Sequence, residues 1–247
     1  MYERSAELYD AIYAFKDYAR EAASVHEVIE RTRRSAGRAL LDVACGTGLH
    51  AAAFRTWYEV EGVELSDGML AVARRRLPAS TVHRGDMRDF ALARRFDAVT
   101  CLFSSIGYVR TVEGMRRAIR NMARHLAPGG VLVVEPWFFP DAYRPGHLSA
   151  QFIDGAELKV ARFALSELVD RVSVLDMHHL VGRSSGIESF VERHELGLFT
   201  LAEYLDAHAH AGLDAHFEEA GPAGRGLFVA TAPKAAEWHV PPTDEAP

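Results

Sequence analysis

Two cysteines are all that this 247-residue chain contains, which excludes a disulfide framework and a thiolate-rich zinc site. Cys45 and Cys101 each end an apolar run, so two buried free thiols in a reducing compartment are expected. Long apolar runs are also missing. None approaches the roughly 20 residues of a membrane span, and the charged start (Glu3, Arg4, Glu7) shows no apolar leader. The expected location is the cytoplasm. Basic residues are in deficit: the net charge of −6 argues against a dedicated binder of nucleic acid or anionic membrane. Histidine is plentiful at twelve, yet neither His178-His179 nor His208 with His210 has a carboxylate at metal-ligand spacing, so no metal is expected. Internal repeats and low-complexity segments are absent. With 49% hydrophobic and 25% charged residues, what remains is an ordinary globular chain, long enough for one α/β domain with an insertion.

The most telling stretch is Leu40-Leu41-Asp42-Val43-Ala44-Cys45-Gly46-Thr47-Gly48-Leu49-His50. An apolar strand runs into a glycine turn, and an alanine-rich helical segment follows over Ala51 to Tyr58. Gly46 and Gly48 let the backbone approach a ligand, and the helix start offers free N–H groups. The dinucleotide spacing G-x-G-x-x-G is broken, because His50 and Ala51 stand where the third glycine would fall. The turn instead opens with an acid, in the pattern Asp42-x-Ala44-x-Gly46-x-Gly48. An acid there suits a ligand with a cationic part, and S-adenosylmethionine, with its ammonium and sulfonium, fits better than a pyrophosphate.

Around this stretch the pattern alternates strand and helix. Residues 1 to 36 read as a helical flap with Tyr2, Tyr9, Tyr13 and Tyr18 at its start. A second strand, Val60 to Ser66, ends in Glu64 and Leu65. Glu64 lies 22 residues beyond Asp42, where a ribose-binding carboxylate is expected. Ser66 caps a helix that Pro78 ends. A short third strand, Thr81 to Gly85, leads to Asp86-Met87, an acid for an adenine amino group beside an apolar residue for its face. The fourth strand, Phe96 to Phe103, runs into Ser104-Ser105-Ile106-Gly107-Tyr108. A helix from Val112 to Leu126 stops at Pro128-Gly129-Gly130, and the β-branched run Val131 to Trp137 is a strand buried on both faces. The fold class expected is α/β, a Rossmann-like, mostly parallel sheet.

The pattern changes between 141 and 199. Three extended runs, Leu158 to Leu165, Val169 to Val181 and Ile187 to Phe199, read as an antiparallel β lid inserted into the α/β core, with a turn at Gly182 to Gly186. Thr200 to Gly212 returns to helix, and Asp214 to Glu219 with Leu227 to Ala232 forms a closing hairpin. The expected organisation is a flap (1–36), a core (37–140 and 200–233), a lid and dimerisation region (141–199) and a tail (234–247) that is expected to be mobile.

The set D-x-A-C-G-T-G, V-E-L-S, G-D-M and P-G-G resembles the class I S-adenosylmethionine-dependent methyltransferases. Gly85-Asp86-Met87-Arg88-Asp89-Phe90, Phe103 to Gly107, Val134-Glu135-Pro136-Trp137-Phe138-Phe139-Pro140 and Gly224-Arg225-Gly226-Leu227-Phe228 resemble more closely the TDP-amino-sugar N,N-dimethyltransferases of the desosamine and mycaminose type, across nearly the whole chain. That resemblance implies direct transfer of a sulfonium methyl to the amine of a TDP-linked amino-deoxysugar, repeated once, in antibiotic biosynthesis, by a homodimer. It implies Tyr108 and Tyr2 beside the amine, Tyr18 with Asp17 at the methionine end of the cofactor, and Arg225 on the sugar nucleotide's phosphates. Trp137, Phe138 and Ser105 are the further substrate contacts. Each has a plainer reading: Tyr108 as packing over the sheet edge, Arg225 as a solvated turn arginine, one of the aromatics as core. Two other functions stay open, a small-molecule O- or C-methyltransferase and a non-catalytic S-adenosylmethionine-binding protein.

Overall fold

The computed structural model describes residues 4–77, 82–222 and 224–234. Tyr2, the helix stop at Pro78 and the tail beyond Lys234 lie outside those residues. Among the described residues eleven strands form two sheets, accompanied by six α-helices. The chain opens with α1 (Ala6–Ile12) and α2 (Tyr18–Thr32), then alternates β1 (Ala39–Val43), α3 (Leu49–Phe54), β2 (Glu59–Glu64), α4 (Asp67–Arg76), β3 (Val82–Arg84) and β4 (Phe96–Cys101). A 3-10 turn over Ser105–Val109 precedes α5 (Val112–Arg124) and β5 (Leu126–Val134).

A four-strand meander follows, β6 (Leu148–Asp154), β7 (Lys159–Val169), β8 (Val172–Arg183) and β9 (Gly186–Gly197), and then α6 (Leu201–His210), β10 (Asp214–Glu218) and β11 (Leu227–Thr231). In the large sheet the order is β10-β11-β5-β4-β1-β2-β3. β1 to β5 run parallel, and the closing hairpin pairs antiparallel with β5. The order reverses between β1 and β4, and the crevice above such a switch point is where open α/β sheets bind ligands.

Both faces of this sheet are covered, as the continuous apolar strands require. Alternate residues of one strand therefore enter different cores. Leu41 and Val43 pack with Met115, Ile119 and Tyr204 of α5 and α6, whereas Leu40 packs with Val25, Ile29 and Phe54 of α2 and α3. α2 starts at the cap Asp17, which accepts from the Arg20 N–H at 2.9 Å, and α6 starts with a capping box of Thr200 and Glu203. Among the described residues no helix is long and apolar enough to cross a membrane. Cys45 and Cys101 are buried free thiols.

Several details depart from the sequence reading. The lid has four strands where three runs were expected; the added one, Leu148–Asp154, alternates apolar Leu148, Ala150 and Phe152 with Ser149 and Gln151 but carries no β-branched run. Val169 ends β7 instead of opening β8; Asp170, at φ 53°, makes the reversal. The helix after β1's glycine turn is short, six residues, and the one before Pro128 stops at Arg124. Pro128-Gly129-Gly130 lies within β5 as an irregularity of register, since Phe96 pairs with Leu126 but Ala98 with Val131. Gly129 holds φ 74° with the backbone of Arg34 and Ser35 pressed against it, which leaves no room for a side chain.

The lid's inner face packs on the flap. Leu8, Ile12 and Tyr13 of the flap meet Val160, Val181 and Phe190 of the lid, and the Gln151 side chain donates to the Ile12 carbonyl. Flap and lid thus close over the switch-point crevice together.

Candidate active site

The crevice holds a cavity of about 290 Å³, near the lower end of the range of small-molecule sites. Its floor is the glycine turn. Ala44, Gly46 and Gly48 all have positive φ, of 57°, 58° and 80°, so the loop after β1 lies in the left-handed region at three alternate positions. The two glycines are there for different reasons. A Cβ at Gly46 would meet nothing within 4 Å, so that position stands open to a ligand, whereas one at Gly48 would lie 2.9 Å from Leu77 Cδ1. Gly48 answers to packing and to its backbone angle, not to ligand approach.

Asp42 closes β1 and is 3% exposed. Its Oδ1 accepts from the Thr100 hydroxyl at 2.8 Å. Burial pushes its carboxyl up to about 6, with His50 and Thr100 opposing; a buried acid so disposed gains from a cationic ligand. Glu64, at the end of β2, accepts from the N–H groups of Gly46 at 2.9 Å, Leu65 at 2.9 Å and Ser66 at 2.8 Å. It therefore ties the glycine turn to β2. Burial raises its pKa and those backbone bonds lower it. Asp86 takes a bidentate pair from Arg88, which holds its carboxyl below the usual range. Asp86, Met87, Leu65 and Glu64 line a side pocket of about 80 Å³ that shares Ala44 and Tyr108 with the main cavity.

The walls come from distant segments. Tyr9, Tyr13 and Tyr18 line the cavity from the flap, and burial raises the Tyr18 hydroxyl well above its ordinary pKa. Asp17 does not join it, since it is exposed and occupied as the α2 cap. Ser105 and Tyr108 enter from the 3-10 turn, and Trp137 from the end of β5. The indole Nε1 of Trp137 is buried without a hydrogen-bond partner among the described residues, a donor left for a ligand. Phe138 stands behind Trp137 with ring centroids 4.7 Å apart and is not part of the described lining. Phe139 is core, against Phe217 and Phe228.

Arg225 reaches in from the loop between β10 and β11. Its Nη2 donates to Glu135 at 3.2 Å and its guanidinium lies 5.5 Å from the Trp137 ring. Its Nε is buried without a partner. Arg225 also borders an outer basin whose charged lining is Lys16 and Arg20 with Asp17 and Glu21, so it stands between the cavity and a polar outer surface.

Sequence reading missed Glu135, which is 2% exposed and accepts from the Phe103 N–H at 2.7 Å as well as from Arg225. Its signal was available: it is a fourth acid at a strand end, after Asp42, Glu64 and Asp86. His50, Glu21 and Lys16 were also missed. Glu21 joins His50 Nε2 and Lys16 Nζ, each at 2.8 Å, and these pairs hold its carboxyl below its ordinary range against burial. Among the described residues no cluster of three or more His, Cys, Asp or Glu could hold a metal ion.

Comparison with known proteins bears on this geometry. Residues 40–130 match the family model described as a methyltransferase domain. The dTDP-4-amino-2,3,4,6-tetradeoxy-D-glucose N,N-dimethyltransferase of Saccharopolyspora spinosa is 45% identical over 91% of each chain. The dTDP-3-amino-3,4,6-trideoxy-alpha-D-glucopyranose N,N-dimethyltransferase of Streptomyces venezuelae is 44% identical over 93% of this chain and 98% of its own. The chain belongs to the amino-sugar N,N-dimethyltransferases. The SAM-bound structure of CalS10, an amino pentose methyltransferase of Micromonospora echinaspora involved in calicheamicin biosynthesis, superimposes with a TM-score of 0.82 at 44% identity over 91% of this chain and 96% of that one. This dimethyltransferase is therefore an S-adenosylmethionine-dependent enzyme with the class I fold, and the residues at the switch point fit that cofactor. The open turn at Gly46 and the buried Asp42 suit its cationic amino-acid end, and the pocket at Asp86 and Met87 suits its base.

Proposed function

We propose that this enzyme methylates the amine of a dTDP-linked amino-deoxysugar, twice, in antibiotic biosynthesis. The observation that supports this best is the continuity of one cavity, from Asp42 and Glu64 past Tyr108 and Trp137 to Arg225 at its mouth. A sugar nucleotide has the matching order of parts: an amine at one end, a sugar, then a diphosphate.

In this reading the cofactor, when bound, supplies a methyl already activated on a sulfonium. What the chain supplies is placement and exclusion of water, which account for most of the acceleration of such a displacement. Asp42, Glu64, Asp86, Met87, Leu65, Ala44 and Gly46 hold the cofactor, with Gly48 shaping the turn and Tyr18 over the cofactor's methionine end. Ser105 and Trp137 contact the sugar, Arg225 anchors the diphosphate by charge-assisted hydrogen bonds, and Tyr108 receives the amine. Tyrosine is too weak an acid to be a strong base at neutral pH, so Tyr108 orients the amine and water takes the proton.

The assembly we propose is a homodimer formed through the lid, residues 141–199, in the cytoplasm. Residues directly opposite in adjacent strands share a face. One row across the lid is Ala150, Phe163, His178 and Val191, and the next is Phe152, Ala161, Leu180 and Ser189. Phe152 is 68% exposed, and Phe163, Leu180 and Val191 are exposed beside it. An apolar face of that extent on a monomer marks an interface. Phe152→Glu is expected to yield a monomer in sedimentation, and a wild-type monomer would refute the assembly.

The function is tested by incubating the enzyme with S-adenosylmethionine and a panel of dTDP-3-amino- and dTDP-4-amino-deoxysugars, read by mass for one and two methyls. Absence of transfer across the panel, with the cofactor bound, would overturn the reading.

A further inference from the structure

The strand β9 turns Glu192, His194 and Leu196 to the same face, as the period of two requires, and each grips a different part of the site. Glu192 accepts from the Arg4 N–H at 3.0 Å and from the Ser5 hydroxyl, which ties down the start of the flap. Leu196 lies against the 3-10 turn so closely that a Cβ on Gly107 would sit 3.0 Å from its own. Between them, His194 Nδ1 lies 2.9 Å from the Tyr108 hydroxyl. The histidine is 1% exposed, and burial lowers its pKa to about 4, so the ring is neutral at pH 7.

A neutral imidazole can receive a proton on one nitrogen and donate from the other. Between a phenol and a neutral imidazole the favourable pairing has the O–H donating, because the phenol is the better acid and the ring nitrogen the better acceptor. That direction matters for the chemistry. An amine attacks through its lone pair, and a phenol O–H pointing into the cavity would hydrogen-bond that lone pair and mask it.

We infer that His194 is a positioning residue: its Nδ1 holds the Tyr108 hydroxyl proton, so that the phenol oxygen turns a lone pair toward an N–H of the acceptor amine. The inference rests on the N-methyltransferase reading above. As the amine lone pair forms the N–C bond and the S–C electron pair passes to sulfur, the nitrogen becomes cationic and its N–H groups become stronger donors. The bond to the Tyr108 oxygen therefore strengthens toward the transition state, which is the kind of interaction that raises kcat. The ammonium proton then leaves to water, and neither Tyr108 nor His194 changes its proton count.

The test is a double-mutant cycle on methyl transfer to whichever dTDP-amino sugar the wild type accepts. His194→Leu removes the acceptor and is expected to lower kcat about tenfold with little change in KM, as loss of one charge-assisted hydrogen bond would. His194→Asn restores an acceptor near the same place and should recover most of that loss. Tyr108→Phe should cost a similar factor, and His194→Leu added to Tyr108→Phe should cost nothing further. Unchanged kcat in His194→Leu, or losses that multiply in the double variant, would overturn the inference. So would equal losses in the Leu and Asn variants, which would mark His194 as a packing residue of the lid. A wild type that binds cofactor but methylates no sugar nucleotide overturns the functional reading and this inference with it. A wild type that methylates normally isolates the failure to His194.

Discussion

The two ends of the cavity are built in different ways. At the cofactor end most contacts are short in sequence, the Thr100–Asp42 bond across 58 residues being the long one. Glu64 binds N–H groups at 65 and 66 and reaches back 18 residues to Gly46, and Asp86 is engaged by Arg88 two residues on. At the substrate end, Tyr108 meets His194 across 86 residues and Arg225 meets Glu135 across 90. Local contacts survive as motifs. Long-range ones exist only once both sheets have formed, so the cofactor end is largely the chemistry of a strand-turn-helix unit and the substrate end is the product of how the lid and hairpin are docked on it.

The sharpest way to break this contrast is Asp42→Ala. In the proposed function the buried Asp42 carboxylate faces the cofactor's cationic end, and truncating one partner of a buried charge pair costs about 2–5 kcal/mol. Cofactor affinity by calorimetry should fall by about two orders of magnitude, with the fold retained by circular dichroism. Arg225→Ala should act at the other end alone. Loss of a charge-assisted bond to phosphate, about 1.5–3 kcal/mol, predicts a KM for the sugar nucleotide raised roughly tenfold to a hundredfold, with cofactor affinity unchanged. Equal damage to both affinities would show that the two ends are one coupled unit. Glu135 would then be buried without its cation; burial already pushes its pKa up and Arg225 is the chief opposing influence.

A smaller effect is expected from pH, again at one end. Asp42 is held up at about 6, first by burial. The ionised form is the one that attracts a cation, so affinity should be at full strength above pH 6 and weaken as pH falls through it. Cofactor affinity should be about tenfold lower at pH 5 than at pH 7.5. In Asp42→Asn the affinity should be low and nearly flat over that window. A wild-type affinity that rose on acidification would contradict the sign of this argument.

How much was legible follows from the same contrast. The β1 turn, the acids at the ends of β2 and β3 and the closing hairpin could be placed from sequence, because each is a local pattern. The lid's first strand, β6, could not, since its apolar Leu148, Ala150 and Phe152 are exposed and only Gln151 and Ile153 of it are half-buried. Glu135 carried the same strand-end signal as Asp42 and Glu64, but its partner Arg225 lies 90 residues on, so its role did not show in its own segment. His194 carried no signal at all: its partner Tyr108 belongs to another segment, and a histidine in a lid strand reads as one of twelve.

The three aromatics after Glu135 give the finest test, because they are neighbours in sequence with different fates. Phe139 is fixed in the core by Phe217 and Phe228. Trp137 presents its ring to the cavity, 5.5 Å from the Arg225 guanidinium, with its Nε1 awaiting an acceptor. Phe138 is 37% exposed and lies against the ring of Trp137 on one side and of Tyr143, outside the cavity, on another. Trp137→Phe keeps the ring and removes the donor, so it should raise the KM for the sugar nucleotide by several-fold, about one neutral hydrogen bond. Phe138→Ala should change that KM by less than about twofold, as substitutions away from buried features do. If Phe138→Ala proved the more damaging of the two, the site would have to include the outer face of this strand end, and the division between a cavity wall at 137 and its support at 138 would be lost.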